Sequence, residues 1–159
     1  MSSLEPTVPP VTRAEIDDFL AQRTLAVVGA SRNGRKFGSA AYRELKAHGR
    51  RVFPVHPSAT LIEGDPAVRS LYELPEPVDG VLIVVPPEET ERVVHDVAEA
   101  GIRRVWMQQG AQSLAAIHFC AERGIQVIHG QCILMFLEPA RFFHRAHRWF
   151  RRRAGRLPQ

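Results

Sequence analysis

A polar loop bounded by glycines carries the clearest chemistry in this sequence. It runs from Gly29 to Gly38, after a short apolar stretch and before a segment with helical spacing. Glycines let the backbone turn tightly and approach a ligand, and a helix N-terminus offers unpaired N–H groups to an anion. Ser31 adds a hydroxyl donor. The loop also supplies three cations, Arg32, Arg35 and Lys36. These residue types in this order predict phosphate binding.

Two common nucleotide-binding motifs do not match this loop. Ala30 and Ser31 interrupt the spacing G-x-G-x-x-G, and the pattern G-x-x-x-x-G-K-[ST] is also absent. An NAD-binding domain would need Asp or Glu at the end of its second strand, where this sequence has His56 and Pro57. The alternatives left are a solvated turn, NADP bound by an oxidoreductase, or coenzyme A, either free or as an acyl-CoA. Coenzyme A is favoured because it needs only to be held, whereas NADP also needs a domain that places its substrate.

Other reactive side chains favour packing or ligand contact over catalysis. Cys132 follows the last predicted strand, where a thiol could meet a coenzyme sulfur, although a small inert residue is the favoured interpretation. His56 and His129 have no identifiable nucleophile or orienting carboxylate beside them. Glu88 and Glu89 begin a helix and suit its dipole. We therefore predict a binding protein with no catalytic residues and no metal site.

Five short apolar stretches alternate with amphipathic helices along the chain. This alternation predicts a Rossmann-like α/β domain, in which a doubly wound parallel five-stranded sheet has the strand order 3-2-1-4-5. Trp106 in a strand and Cys120 on a helix are predicted core residues. The predicted strands cover residues 24–28, 51–57, 81–85, 104–108 and 125–129.

Composition fits one domain with a single core. The 159 residues are 45% hydrophobic and 24% charged. No apolar run reaches the roughly 18–20 residues of a membrane span, and residues 1–10 lack signal-peptide features, so we expect a cytoplasmic protein. Thr12 and Glu15 form a capping box that opens an extra N-terminal helix. We divide the chain into an extended arm, the Rossmann-like domain and a basic amphipathic C-terminal helix with its tail, over residues 1–11, 12–137 and 138–159.

The basic character of the chain is concentrated at its C-terminus. Seven of the 21 Lys and Arg residues lie between Arg141 and Arg156, and the rest of the chain has 14 basic residues against 17 acidic ones. The arginines and aromatics of this stretch have amphipathic helical spacing. We expect the aromatics to pack on the sheet or on a second subunit, in a homodimer. Contact with nucleic acid or an anionic membrane is the alternative, in which the chain acts as an interaction module.

Six short motifs occur in a characteristic order. They are Val-Val-Gly-Ala-Ser at 27–31, Val-x-Pro-Val-His-Pro at 52–57, glycine at 64, Val-Asp at 78–79, Val-Val-Pro at 84–86 and Val-Trp-Met-Gln-Gln-Gly at 105–110. Together they resemble the CoA-binding domain family, which is similar to the N-terminal domain of the succinyl-CoA synthetase alpha subunit. The resemblance implies that the first loop holds coenzyme phosphates and that residues after the second and third strands flank the nucleotide. The family often has Asn where this chain has His56. With the loop cation Arg32 added, the predicted cofactor-binding residues are Gly29, Ala30, Ser31, Arg32, Lys36, His56, Pro57, Val85, Pro86, Gln109 and Gly110.

Overall fold

The computed structural model describes residues 8–137, which contain four α-helices and seven strands. The α-helices are α1 (Arg13–Ala21), α2 (Phe37–Ala47), α3 (Pro87–Glu99) and α4 (Leu114–Glu122). The strands are β1 (Thr24–Val28), β2 (Arg51–Val55), β3 (Leu61–Ile62), β4 (Asp65–Pro66), β5 (Gly80–Ile83), β6 (Arg104–Gln108) and β7 (Gln126–Gln131). Two short 3₁₀ helices cover Leu71–Glu73 and Ile133–Met135.

Local sequence signals mark the starts of three of the four described α-helices. Thr12 Oγ1 accepts the Glu15 N–H at 3.2 Å, while the Glu15 carboxylate accepts the Thr12 N–H at 2.8 Å. This reciprocal pair confirms the predicted capping box. Ser113 caps α4 by accepting the Ala116 N–H. Pro87 stands in the first turn of α3, where its missing N–H has no intrahelical partner to lose.

Five parallel strands form the main sheet in the order β2-β1-β5-β6-β7. Side chains of α1 and α2 pack on one face, and those of α3 and α4 pack on the other. The predicted doubly wound α/β class is therefore confirmed. The predicted strand order 3-2-1-4-5 is wrong, because β5 pairs with β1 rather than lying beyond β2. Numbered as in the prediction, the order is 2-1-3-4-5.

Pro54 gives the physical reason for this order. Proline has no N–H to donate, so it suits an edge strand better than a central one. On the outer side of β2, the Pro54 carbonyl accepts the Val68 N–H at 3.1 Å, and the His56 N–H donates to the Val68 carbonyl at 2.9 Å. Only an isolated bridge therefore covers this side of β2. A full strand on this side of β2 would lack one hydrogen bond, because Pro54 has no N–H to donate.

The core has one layer on each face of the sheet, and both predicted core residues are confirmed. Trp106 is fully buried, packs edge-on against Phe19 and donates its indole N–H to the Gln131 carbonyl at 3.1 Å. Cys120 is fully buried on the other face. Burial raises the pKa of its thiol to about 12, so the thiol stays protonated near neutral pH.

The predicted basic C-terminal helix and most of the predicted N-terminal arm lie outside the described residues. Residues 8–12, just before α1, have no regular secondary structure. Within residues 8–137, no helix combines the length and the apolar character needed to cross a membrane.

The β3–β4 hairpin, which no pattern in the sequence predicts, is tied to α2 by a polar cluster. The Tyr42 hydroxyl and the Lys46 ammonium both donate to the Asp65 carboxylate on β4. These two hydrogen bonds, that of Lys46 first, lower the pKa of Asp65. Burial, and then the hydrogen bond to Asp65, raises the pKa of Tyr42, so the phenol remains a neutral donor. The hairpin is thereby fixed against the helix that follows the glycine-bounded loop.

We expect Asp65→Asn to lower the free energy of unfolding by about 0.5 kcal/mol near pH 7, because the pair is partly exposed and screened by solvent. A folded-state pKa below the unfolded value stabilises the protein above the unfolded pKa of about 3.9, and this stabilisation is lost as pH falls through the folded pKa. The difference in urea midpoint between wild type and variant should therefore shrink on acidification. Glu122→Gln, at an exposed position on α4, controls for loss of one carboxylate. A difference that stays constant down to about pH 2 would contradict the assignment.

Candidate functional site

Close backbone contact between three segments forms the base of a site at the carboxyl edge of the sheet. Gly29 follows β1 with a φ of +107°, and a Cβ there would lie 2.1 Å from the Val84 carbonyl oxygen, just after β5. A Cβ at Gly38, in the first turn of α2, would lie 2.3 Å from the Gly29 carbonyl oxygen. Both positions therefore require glycine. They bring the loop, α2 and the end of β5 into direct contact.

A fully buried serine holds the start of the loop. Ser39 Oγ donates to the Ser31 carbonyl at 2.7 Å and accepts the Ser31 N–H at 3.2 Å. The Ser31 Oγ accepts the Asn33 N–H at 3.0 Å, which leaves its own hydroxyl hydrogen for another acceptor. Internal hydrogen bonds thus shape this loop before any ligand binds.

Arg43 on α2 fixes the outer part of the loop. Its Nη1 donates to the Gly34 carbonyl at 2.9 Å and to the Glu63 carboxylate at 2.8 Å. Glu63 and Gly64 form the tip of the β3–β4 hairpin, with φ values of +49° and +81°. Two successive positive φ angles are typical of a type I′ hairpin turn. One guanidinium therefore connects the loop to the hairpin.

His56 shapes the chain as it leaves β2. Its Nδ1 accepts the N–H groups of Ser58 at 3.1 Å and Ala59 at 2.8 Å. Because both partners are donors, Nδ1 is the unprotonated ring nitrogen of this arrangement. An Asn side chain accepts backbone N–H groups in a similar Asx turn. This accounts for His at a position where the CoA-binding domains that the sequence resembles often have Asn.

These segments and α3 surround a cavity of about 580 Å³. It lies at the carboxyl ends of β1, β2 and β5, where the chain switches from one side of β1 to the other. Such a switch point is the usual ligand site of an open α/β sheet. Eight predicted cofactor-binding residues line the cavity, namely Gly29, Ala30, Ser31, Lys36, His56, Pro57, Val85 and Pro86.

Three predicted cofactor-binding residues are not among the residues that line this cavity. Arg32, Arg35 and Lys36 are all exposed on the loop, and of these three cations Lys36 lines the cavity. Gln109 and Gly110 follow β6, and the Gly110 N–H donates to the Gln112 side chain at 2.7 Å.

Two arginines of the cavity wall are not predicted from the sequence. Arg69 follows β4 and Arg92 lies on α3, and two acidic residues, Glu89 and Asp96, line the same cavity. Glu89, Arg92 and Asp96 are three and four residues apart, so their shared helix face was a readable signal. The position of Arg69 depends instead on the isolated bridge beside β2, which no local pattern reveals.

The remaining candidate reactive residues are not among those that line this cavity. His129 borders a separate cavity of about 130 Å³ next to residues 8–10. Cys132 is partly buried after β7. In the part of the chain that the structure describes, no group of three or more His, Cys, Asp or Glu residues could hold a metal ion.

A doubly wound sheet with a glycine-bounded loop and a cavity at its switch point defines an α/β domain of the nucleotide-binding type. Within this class, the chain belongs to the CoA binding domain family, whose model matches residues 23–138.

Relatives of the chain include both small proteins and parts of large ones. A conserved hypothetical protein from Pyrococcus furiosus is 38% identical, and its solved structure matches 72% of this chain and 98% of its own with a TM-score of 0.68. The uncharacterized protein YneT from Bacillus subtilis is 29% identical over 77% of this chain and 91% of its own length. The alpha subunit of ADP-forming acetate–CoA ligase II from Pyrococcus furiosus is 33% identical over 57% of this chain. The chain spans only 20% of that subunit.

Ser39→Ala should lower the free energy of unfolding by about 1–3 kcal/mol, because it leaves the N–H and the carbonyl of Ser31 without their partner. The exposed Ser58→Ala is the matched control and should change it by less than about 0.5 kcal/mol. Urea unfolding gives both values. Equal effects of the two substitutions would show that Ser39 does not hold the loop.

His56→Asn and His56→Ala test the turn after β2. The Asn variant keeps an acceptor for the two backbone N–H groups, whereas the Ala variant removes it. We expect the Ala variant to lose about 1 kcal/mol of unfolding free energy and the Asn variant clearly less. Thermal and urea unfolding of both proteins measure this difference. If Asn proved as destabilising as Ala, the role of His56 as a backbone acceptor would be refuted.

Proposed function

We propose that this chain binds coenzyme A non-covalently in the cavity between the loop, the end of β2 and α3. One observation carries the proposal: in a chain of the CoA binding domain family, eight residues from separate segments converge on one cavity whose base admits no side chain at Gly29. The cavity volume of about 580 Å³ also lies within the range of about 300–1,000 Å³ usual for small-molecule sites.

The diphosphate of the coenzyme is assigned to the loop. Lys36 is the N-cap residue of α2, and its side chain makes no capping hydrogen bond. Lys36 and Ser31 both line the cavity, and an ammonium and a hydroxyl can donate to phosphate oxygens. The first N–H groups of α2 have no intrahelical partner and add the positive end of the helix dipole. Side chains and a helix end thus supply complementary charge.

The nucleotide is assigned to the space between the ends of β2 and β5. Val85 and Pro86 lie on one side, and His56 and Pro57 lie on the other. Apolar walls of this kind suit the flat surface of an adenine. The pantetheine arm then extends toward the end of β6. Gln109 and Gly110 follow this strand, so they are the proposed contacts of the arm.

We assign a binding role and no catalytic step. The ADP-forming acetate–CoA ligases bear CoA in their names, but this chain spans a fifth or less of their length. His56, the histidine of the cavity, uses Nδ1 to hold the turn after β2. Ligation of an acyl group therefore finds no support in the described residues.

Calorimetric titration with CoA, and with NADPH in parallel, tests the proposal. We expect CoA to bind with a micromolar or lower dissociation constant and NADPH to bind far more weakly. Tight binding of NADPH with none of CoA would overturn the proposal and favour an NADP-dependent oxidoreductase. Absence of binding by both ligands would also overturn it.

Lys36→Ala and Ser31→Ala should each weaken CoA binding by about 1–3 kcal/mol, roughly 5- to 150-fold, because each removes a donor to phosphate. Arg23→Ala is the matched control, since Arg23 is an exposed arginine just before β1, at the opposite edge of the sheet. Its effect on the dissociation constant should stay below about threefold. An Arg23→Ala effect as large as that of Lys36→Ala would show that the loss of any surface cation weakens binding and that the loop does not hold the phosphates.

A further inference from the structure

Cations reach the cavity from three separate parts of the chain. Lys36 comes from the loop, Arg69 from the segment after β4, and Arg92 from α3. The other loop cations, Arg32 and Arg35, are not among the lining residues. The two arginines therefore form a second basic group, supplied by elements other than the loop, in the same cavity.

The backbone around Arg69 is held against the sheet. Val68 bridges to Val55 in a parallel sense, through hydrogen bonds of 2.9 and 3.1 Å to the flanking residues of β2. The chain therefore leaves this bridge at the same edge of the sheet as His56. The Arg69 N–H then donates to the Glu73 carboxylate at 3.0 Å. An anchored backbone thus presents the exposed Arg69 side chain to the cavity.

Helix α3 directs Arg92 to the cavity. Glu89, Val93 and Asp96 share its face and also line the cavity. A different side of the helix carries the residues buried in the core, Thr90, Val94 and Val97. Because one side of α3 packs on the core, the side chain of Arg92 lies on the side that borders the cavity.

Within residues 8–137, neither guanidinium uses its donors on a carboxylate. Arg69 and Arg92 have no carboxylate oxygen within 4.0 Å in this range, whereas five other Arg and Lys side chains form salt bridges there. Asp96 accepts the Tyr72 hydroxyl at 3.1 Å instead. A guanidinium whose N–H donors have no protein acceptor can bind a phosphate through two parallel hydrogen bonds.

Coenzyme A carries two separate phosphate groups, a diphosphate and a monoester on the ribose. The loop offers one cation to the cavity, and this matches the diphosphate assigned to it. We infer that Arg69 and Arg92 bind the ribose phosphomonoester, and that they let the chain distinguish CoA from its form without this group, dephospho-CoA. This inference rests on the proposed function.

Calorimetry with CoA and dephospho-CoA, on wild type, Arg69→Ala and Arg92→Ala, tests the inference. Wild type should bind dephospho-CoA at least about tenfold more weakly than CoA. Each variant should weaken CoA binding by about five- to tenfold and change dephospho-CoA binding by less than about twofold, because the lost donors have no partner in that ligand. Arg103→Ala is the matched control, since Arg103 is an exposed arginine just before β6, at the opposite edge of the sheet. It should leave both affinities unchanged.

Failures of the two proposals give different results. If wild type binds CoA and dephospho-CoA equally well, the inference is wrong while CoA binding stands. If both arginine variants lose both ligands in equal proportion, the arginines contact another part of the coenzyme and the inference is again wrong. If wild type binds neither ligand, the proposed function and the inference both fall. Unfolding curves of the variants exclude a folding defect, which we do not expect at two exposed positions.

Discussion

The contact of Gly29 with Val84 and Gly38 is the constraint on which the site depends. Because no Cβ fits between these backbones, the end of β1, the end of β5 and the start of α2 are held at one point. Ser39, the next residue along α2, then reaches Ser31 and takes up both of its backbone groups. The Ser31 N–H is consequently not free for a ligand. The loop therefore differs from loops in which successive free N–H groups wrap a phosphate.

A second constraint acts at the edge of the sheet. Pro54 lacks the N–H that a neighbouring strand would need, so β2 ends the sheet and only Val68 bridges to its outer side. That bridge determines where the following residue, Arg69, enters the cavity wall. A single proline therefore influences both the strand order and the placement of a cation.

Local signals in the sequence were sufficient for the α-helices and for the strands of the main sheet, but not for the β3–β4 hairpin or for the order of the strands. The capping box at Thr12, the buried strands and the loop after β1 depend on neighbours within a few residues, and each is readable without the fold. The strand order depends on pairing between β1 and β5, residues that are more than 50 positions apart. The edge preference of Pro54 was a visible signal for the correct order. No comparable signal marks Ser39 or Arg69, because their partners are set by the folded chain.

The segment between β2 and β5 also links the two basic groups of the cavity. Arg43 joins the loop to Glu63 at the hairpin tip, Lys46 joins α2 to Asp65, and the chain continues from the hairpin into the Val68 bridge and Arg69. The distance between the loop and Arg69 is therefore set by this one connected segment, and not by two independent loops. This connection matters because acidic residues outnumber basic ones outside residues 141–156, so positive charge at the cavity comes from a few cations at defined positions. In the proposed binding of a ligand with two separated phosphates, recognition depends on how far apart the fold holds these cations.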